Sequence, residues 1–293
     1  MQTIGWLRLP SSFGSRLSAV LQQSGHLCVG IDPHEELLEK WGLEDSAQSL
    51  ETFGRRVVDA CEGRVGIIKP QVAFFERHGS AGFAALERLA AYANEAKLLM
   101  IMDAKRGDIG STMKGYFDAW LGKNAPFAAD ALTVSPYLGF DSLLPTLSMA
   151  HERGKGVFVL AATSNPEAAT LQTASVNGGS LASSIWQALD RTNRAVDGDR
   201  LGSFGAVIGA TLNFAKFGLN LAQAATTPIL APGFGAQGAL LAQAEQIFGE
   251  SNARTIATVS RSVLNAGPHG LEQAIDAAKL QLELQTSGVM ADE

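Results

Sequence analysis

Several charged side chains follow one apolar run in the first half of the chain, in the segment Asp103-Ala104-Lys105-Arg106-Gly107-Asp108. On an extended strand, Asp103 and Lys105 are two residues apart and point the same way. Gly107 permits a turn that would carry Asp108 back over the same opening. The segment therefore predicts a lysine between carboxylates, where nearby opposite charges favour its ionised form. Such an ammonium is a poor Schiff-base nucleophile but a good proton donor to a carbanion.

Two earlier apolar runs also end on a charged residue. Leu27–Asp32 ends on Asp32, and Val65–Lys69 ends on Lys69. Solvation at a strand end would explain one such charge, but three apolar runs in a row end this way when Asp103 is included. In parallel α/β barrels the active site lies at the carboxyl ends of the strands. The pattern therefore predicts a charged site there, with Asp32 and Lys69 next to Lys105.

A second group of residues is typical of phosphate binding. The segment Pro232-Gly233-Phe234-Gly235-Ala236-Gln237-Gly238 follows one apolar run, and Ser260-Arg261-Ser262 closes the last one. Glycines expose backbone N–H groups, a following helix start would add a positive dipole, and arginine offers a bidentate fork. We therefore expect Gly235, Gln237, Arg261 and Ser262 to contact a phosphate.

The elements that would position these residues alternate regularly. Helix-period stretches such as Phe83–Lys97 separate eight short apolar runs, and the runs end about 33 residues apart on average, close to the ~30 of a βα unit. This pattern predicts an α/β fold, a single-domain (β/α)8 TIM barrel. An open doubly wound sheet would need a glycine-rich fingerprint after Asp32, and none is found there. The eight runs are Leu27–Asp32, Val65–Lys69, Leu98–Asp103, Ala131–Val134, Val157–Ala161, Ala206–Ala210, Pro228–Ala231 and Thr255–Ser260.

Two segments fall outside the regular alternation. Residues 1 to about 25 are expected to form a helical cap over the bottom of the barrel. Residues 164–203 form a long insertion after the fifth strand, with a helix over Leu181–Arg191 on the catalytic rim. We expect the whole chain, 1–293, to be one domain.

Composition and charge exclude several classes of protein. The chain has 29 acidic and 23 basic residues and a net charge of −6, which argues against a nucleic-acid surface. No apolar run approaches the ~18 residues of a membrane span, and Arg8, Pro10 and Arg16 interrupt any signal-peptide core. The two cysteines, Cys28 and Cys61, suit a reducing compartment. These features favour a cytoplasmic protein without a nucleic-acid or membrane partner.

Three motifs together resemble the orotidine 5'-phosphate decarboxylase family, in its longer bacterial (type 2) branch. They are Asp-x-Lys-x-x-Asp at 103–108, Lys-Pro at 69–70, and Pro-Gly-x-Gly-x-Gln-Gly at 232–238 before Arg-Ser at 261–262. The resemblance covers essentially the whole chain. It implies decarboxylation of orotidine 5'-monophosphate to UMP in pyrimidine biosynthesis, with no cofactor and no metal.

The resemblance also implies catalytic roles. Lys69, Asp103, Lys105 and Asp108 would form a charged array, in which Lys105 protonates C6 of the pyrimidine as carbon dioxide leaves. Asp103 would lie next to the substrate carboxylate. Asp32 and Lys69 would hold the ribose hydroxyls.

Binding and assembly roles follow from the same resemblance. Gln237 and Arg261 would hold the phosphate, and Ser164 would hydrogen-bond to the pyrimidine. Asp108 and Thr112 would reach into the neighbouring subunit's site, which implies a homodimer.

Other interpretations remain open at this point. A keto-sugar-acid phosphate decarboxylase of the same superfamily uses a similar motif with Mg²⁺, although Lys69 would repel that ion. A pentulose-phosphate epimerase would need zinc-binding histidines, yet the five histidines are scattered and none ends a strand. A non-catalytic nucleotide-binding module would explain the phosphate loops but not the charges at one spot, since burying charge gains little for binding alone.

Overall fold

The predicted barrel is confirmed by the computed structural model, which describes residues 11–176 and 178–284. The strands are β1 Leu27–Ile31, β2 Ile67–Pro70, β3 Leu99–Arg106, β4 Ala131–Val134, β5 Gly156–Ala162, β6 Ser175–Val176, β7 Gly179–Ser180, β8 Phe204–Ile208, β9 Ile229–Ala231 and β10 Thr255–Val259. Eight of them are parallel and close on themselves in the order β1-β10-β9-β8-β5-β4-β3-β2, and β6 and β7 form a separate antiparallel hairpin.

Helices connect the strands and form the outer layer. In α5 (Gly79–Glu95), the apolar face that includes Leu86, Leu89 and Ala93 is buried in the hydrophobic core, as its 3.6-residue period requires. The α-helices are α1 Phe13–Ser24, α2 Glu35–Lys40, α3 Ala47–Cys61, α4 Val72–Glu76, α5 Gly79–Glu95, α6 Gly110–Trp120, α7 Leu144–Glu152, α8 Ala168–Gln172, α9 Leu181–Asp197, α10 Ala244–Phe248, α11 Arg261–Leu264 and α12 Gly267–Glu283.

Helix α1 closes the amino-terminal end of the barrel. Phe13, Leu17 and Leu21 belong to the same buried cluster as the inward-facing side chains of the strands. The ring of Phe13 meets that of Phe158 edge to face, with the centroids 6.0 Å apart. A Cβ on Gly156 would lie 2.5 Å from the Phe13 ring, so this close approach requires glycine. Because the side chains of Phe13, Leu17 and Leu21 fill the barrel interior at its amino-terminal end, the interior opens into a cavity at the carboxyl ends of the strands. The rest of the expected cap, residues 1–10, lies outside the described residues.

The segment between β5 and β8 differs from its expected arrangement. The helix expected over Leu181–Arg191 continues to Asp197, and α9 packs against β5 and β8. It is therefore the crossover helix that joins these strands, because its buried face includes Ile185, Trp186 and Leu189. The additional structure is confined to α8 and the short hairpin that precede it.

In the described parts of the chain, no helix is both long enough and apolar enough to span a bilayer.

Candidate active site

A cavity of about 260 Å³ opens at the carboxyl ends of the barrel strands. It brings together six of the residues that the sequence analysis assigned to the site: Asp32, Lys69, Asp103, Lys105, Gln237 and Arg261. These lie in β2, in β3 and in the segments after β1, β9 and β10, so the closed barrel collects residues that are distant in sequence. The cavity has a charged side, which contains both lysines, and a side formed by the Pro232–Gln237 loop and Arg261.

Asp103 is the centre of the charged side. Its Oδ2 lies 2.9 Å from Nζ of Lys69, and its Oδ1 lies 2.7 Å from Nζ of Lys105. The Asp103 and Lys69 side chains are only 12% and 9% exposed, whereas the Lys105 side chain is 44% exposed. Within one chain the arrangement is thus a carboxylate between two ammonium groups, not the expected lysine between two carboxylates.

Neighbouring opposite charges keep both Asp103 and Lys69 ionised. Burial would raise the pKa of Asp103, but the charges and hydrogen bonds of Lys69 and Lys105 outweigh it and hold that pKa well below its usual range. Burial would likewise lower the pKa of Lys69, but the carboxylates of Asp103 and Asp32 outweigh it and raise that pKa above its usual value. Asp103 and Lys69 are therefore both charged at neutral pH.

Two neutral side chains complete the array, and the sequence analysis missed both. Thr133 donates its hydroxyl hydrogen to Oδ1 of Asp103 over 2.9 Å. The side-chain amide of Gln71 is oriented with its nitrogen towards Asp103 and its oxygen towards Lys105. The nitrogen donates to Oδ2 of Asp103 over 2.7 Å, and the oxygen accepts from Nζ of Lys105 over 3.2 Å. Each carried a weak signal: Gln71 lies two residues after Lys69, and Thr133 is the polar residue in the buried strand β4.

The backbone of β3 is irregular where it carries the catalytic candidates. Its register against β4 shifts between Met102 and Arg106. Lys105 has a φ of 50°, in the left-handed region that side chains disfavour. The contact between Asp103 and Lys105 therefore arises in a bulge, not on the extended strand from which it was predicted.

One carboxylate oxygen of Asp32 is hydrogen-bonded within the chain, and the other is not. Ser260 donates its hydroxyl hydrogen to Oδ2 of Asp32. The Oδ1 atom is buried and has no hydrogen-bond partner among the described residues. Asp32 can therefore accept a hydrogen bond from a ligand hydroxyl.

The glycine-rich loop is compact and packs against the start of α11. Gly233, Gly235 and Gly238 all have positive φ, and the Gly235 N–H donates to the Ala239 carbonyl over 2.8 Å. A Cβ on Gly235 would lie 2.6 Å from the Ser262 side chain. Gly235 and Ser262, both expected to contact phosphate, thus contact each other and lie outside the cavity lining. They bring the loop against the helix that begins with Arg261.

The α-helix start expected directly after this loop lies further along the chain. The glycine-rich loop is followed by a 3₁₀ turn at Leu241–Gln243 before α10 begins at Ala244. Positive charge on this side of the cavity therefore comes from Arg261.

Ser164 lies at the edge of the cavity. Its hydroxyl donates to Oε1 of Gln237 over 3.1 Å, which links the segment after β5 to the loop after β9. The preceding residue, Thr163, lines the cavity itself. The Ser164 side chain thus lies next to the part of the cavity that Gln237 lines.

Asp108 and Thr112 do not line the cavity of their own chain. Oδ1 of Asp108 accepts from the backbone N–H of Ile109 over 2.8 Å, and Thr112 is exposed in the first turn of α6. Gly107 does not adopt a left-handed turn, but a Cβ there would lie 2.6 Å from the Ser135 carbonyl oxygen. The backbone at Gly107 thus packs closely against the loop after β4, and Asp108 does not share the cavity lining with Lys105.

Comparisons with known proteins identify the family of this chain. A family model described as "Orotidine 5'-phosphate decarboxylase / HUMPS family" matches residues 25–275. The chain is 47% identical to the orotidine 5'-phosphate decarboxylase of Streptomyces coelicolor over 277 residues, covering 94% of this chain and 98% of that protein. It is 48% identical to the Nocardioides enzyme of the same name over 256 residues, covering 86% and 91%.

Solved structures give the same result. A Streptomyces avermitilis protein provisionally named orotidine 5'-phosphate decarboxylase superposes with a TM-score of 0.88 at 46% identity, covering 95% of this chain and 97% of that chain. The OMP decarboxylase of Leishmania donovani superposes with a TM-score of 0.75 at 26% identity, covering 95% and 100%. The chain therefore belongs to the orotidine 5'-phosphate decarboxylase / HUMPS family.

Proposed function

We propose that this protein is an orotidine 5'-phosphate decarboxylase, a carboxy-lyase that converts orotidine 5'-monophosphate to UMP in pyrimidine biosynthesis without a metal or an organic cofactor. The observation that carries the proposal is the array at the carboxyl ends of β2 and β3, where a buried carboxylate holds two ammonium groups in place. The family membership of nearly the whole chain supports the same assignment.

The array suits the chemistry of this reaction. When the bond between C6 and the carboxylate carbon breaks, the electron pair stays on C6 and carbon dioxide leaves. No adjacent carbonyl delocalises that pair, so a fixed cation next to C6 must stabilise it. Lys105 supplies this cation, and its Nζ then gives a proton to C6. Because the Lys105 side chain is 44% exposed, solvent can return the proton to the amine.

Asp103 has two effects in this scheme. It keeps Lys105 in position through the 2.7 Å contact with Nζ. It also places a negative charge near the substrate carboxylate, and this repulsion disappears as neutral carbon dioxide forms. Relief of the repulsion would lower the barrier.

Contacts remote from C6 would orient the nucleotide. Asp32, through its open Oδ1 atom, and Lys69 would hold the ribose hydroxyls, while Gln237 and Arg261 would hold the phosphate. Ser164, which already hydrogen-bonds to Gln237, would contact the pyrimidine. Binding energy from such contacts can be used to align the reacting carbon.

The chelator response separates this proposal from the magnesium-dependent alternative. We expect purified protein to convert orotidine 5'-monophosphate at the same rate with and without EDTA. The loss of orotate absorbance measures this rate. The physical reason is that the Lys69 ammonium, 2.9 Å from Asp103, already neutralises the carboxylate that a Mg²⁺ ion would need. Activity that EDTA abolishes and Mg²⁺ restores would support the metal-using relative instead.

Arg261→Ala tests the phosphate side of the cavity. We expect KM for the nucleotide to rise about 10- to 100-fold, because a charge-assisted hydrogen bond contributes about 1.5–3 kcal/mol. If Arg261 stabilises the ground state and the transition state equally, kcat stays unchanged. A fall in kcat would mean that the binding energy of Arg261 also orients the pyrimidine ring. Steady-state kinetics give both values. Arg191→Ala, on an exposed part of α9, is the matched control, and an Arg261→Ala enzyme with wild-type KM would contradict the assignment.

A homodimer is part of the proposal, with Asp108 and Thr112 serving the partner's site. Both lie outside the cavity lining of their own chain. Three apolar side chains in this region are exposed. Ile109 lies next to Asp108 in the loop after β3, and Tyr137 and Leu138 lie in the loop after β4. Exposed apolar surface of this kind is typical of interfaces.

Co-expression of two inactive variants tests the shared site. When Lys105→Ala and Asp108→Ala subunits are co-expressed with different tags and purified together, we expect activity to return. In the mixed twofold dimer one of the two sites contains both lesions and the other contains none, so about half of its sites are intact. Co-expression of Lys105→Ala with Asp103→Asn is the control, since both residues line the same chain's cavity and every site stays damaged. Recovery no greater than in this control would show that Asp108 is not shared.

We also assign the enzyme to a reducing, cytoplasmic compartment. Cys28 and Cys61 are buried free thiols, and burial raises the pKa of the Cys28 thiol to about 12.

A further inference from the structure

The pairing between β3 and β4 is irregular at the point where it reaches the cavity. Met102 pairs with Leu132, and Arg106 pairs with Val134, so four residue steps on β3 face two steps on β4. A bulge of this kind leaves backbone groups without a ladder partner. Lys105 lies in the bulge in a left-handed conformation. The location of its ammonium therefore depends on the contacts that hold this irregular backbone.

Thr133 is the residue of β4 that faces the bulge. Its Oγ1 accepts from the backbone N–H of Lys105 over 3.0 Å and donates to Oδ1 of Asp103 over 2.9 Å. One hydroxyl thus satisfies a backbone donor that the bulge has released and a carboxylate oxygen of the charged array. The side chain is 1% exposed and β-branched, which restricts its rotation about χ1. The hydroxyl is therefore held rigidly.

The same hydroxyl completes the hydrogen bonding of Asp103. Oδ1 accepts from Lys105 and Thr133, and Oδ2 accepts from Lys69 and Gln71. An ionised carboxylate offers about four acceptor positions, so donors of the chain itself occupy them all. Asp103 can then neither rotate nor accept a proton without breaking one of these bonds. It meets the substrate as a fixed charge.

From these contacts we infer that Thr133 is a positioning residue for the decarboxylation, which fixes the Lys105 ammonium through its backbone and the Asp103 carboxylate directly. The inference rests on the proposed function. Thr133 does not line the cavity, so it acts through the two charged residues. Displacing a reacting group by about 1 Å can cost about 100-fold in rate, and loss of the hydroxyl frees both of its partners.

Thr133→Val removes the hydroxyl and keeps the shape of the side chain. We expect the single-turnover rate at saturating orotidine 5'-monophosphate to fall about 10- to 100-fold. KM should stay within about threefold of wild type, because other residues contact the ribose and the phosphate. Thr133→Ser restores the hydroxyl and should recover most of the rate. Thr133→Ala, which also lacks the hydroxyl, provides the comparison with Thr133→Ser if the valine variant does not fold.

Thr255→Val is the matched control for a merely structural role. Thr255 is equally buried in a barrel strand, and its hydroxyl donates to the Ser251 carbonyl over 2.8 Å, but it lies at the amino-terminal end of β10. We expect a similar fall in Tm and no fall in the single-turnover rate. A Thr133→Val rate equal to that of Thr255→Val, or a Thr133→Ser rate no better than that of the hydroxyl-free variants, would overturn the inference. Failure of the proposed function would instead appear as wild-type protein that does not decarboxylate the nucleotide.

Discussion

Replacing Lys105 with alanine should reduce kcat/KM by more than the ~10²–10⁴ that general acid catalysis usually contributes. The substitution removes the cation that stabilises the developing carbanion and the proton that ends the reaction, so two effects are lost together. Asp103 would keep its contact with Lys69, so the site would turn from an array of two cations and one anion into a neutral pair. Stopped assays with high enzyme concentration can measure rates this low.

The fold should tolerate this change. The Lys105 side chain is 44% exposed, so its removal leaves little buried space. Lys97→Ala is a suitable control, because Lys97 is also an exposed lysine with positive φ (58°) but precedes β3 at the opposite end of the barrel. Both variants should have a similar Tm, and only Lys105→Ala should lose activity. Near-wild-type activity of Lys105→Ala would eliminate the mechanism.

Replacing Asp103 with asparagine should reduce both activity and stability. We expect kcat/KM to fall at least about 10³-fold, the upper range for the loss of one preorganised electrostatic group, because Lys105 also loses its principal partner. The free energy of unfolding should fall by up to about 3–5 kcal/mol, the typical effect of leaving a buried charge unpaired. The Lys69 side chain is 9% exposed, and Asp32 would retain part of its stabilisation. Steady-state kinetics and urea unfolding measure the two effects.

The stability loss should depend on pH in a definite direction. The pKa of Asp103 is lowered in the folded state, so its contribution to stability is complete above the pKa of the unfolded chain, about 3.9, and disappears as pH falls towards the folded value. The difference in unfolding free energy between wild type and Asp103→Asn should therefore be largest near neutral pH and shrink below about pH 4. A difference that is constant over this range would contradict the ion-pair account.

Asp130→Asn separates stability from catalysis. Asp130 is also a largely buried aspartate in an ion pair, 2.6 Å from Arg16, and it accepts from the backbone N–H of Met100. It lies just before β4, at the amino-terminal end of the barrel. This variant should lose stability and keep its activity. If its kcat/KM fell as far as that of Asp103→Asn, the effect of the latter would be explained by destabilisation alone.

The barrel and its charged residues could be predicted because their signals are local. Apolar runs of β-strand length at regular spacing indicate a parallel barrel, and a charge at the end of such a run lies at a known face. Asp32, Lys69 and Asp103 follow this pattern, Lys105 lies two residues after Asp103, and all four line one cavity. These signals do not depend on contacts between strands.

The remaining features depend on contacts between residues far apart in sequence. The bulge at Lys105 and the contact with Thr133 require the register between β3 and β4, which no local pattern specifies. Gly235 and Ser262 were assigned to phosphate because their types suit that role, yet the structure places them in contact with each other. In that case the packing of two loops, and not ligand binding, accounts for the glycine.

A crystal structure of the protein with UMP bound tests the central claim most directly, through the distance from Nζ of Lys105 to C6 of the pyrimidine. The account predicts a separation of about 3–3.5 Å, as a near-attack geometry requires, with the phosphate beside Gln237 and Arg261. A nucleotide bound in the reverse orientation, with its phosphate against Lys69 and Lys105 and C6 near Arg261, would contradict it.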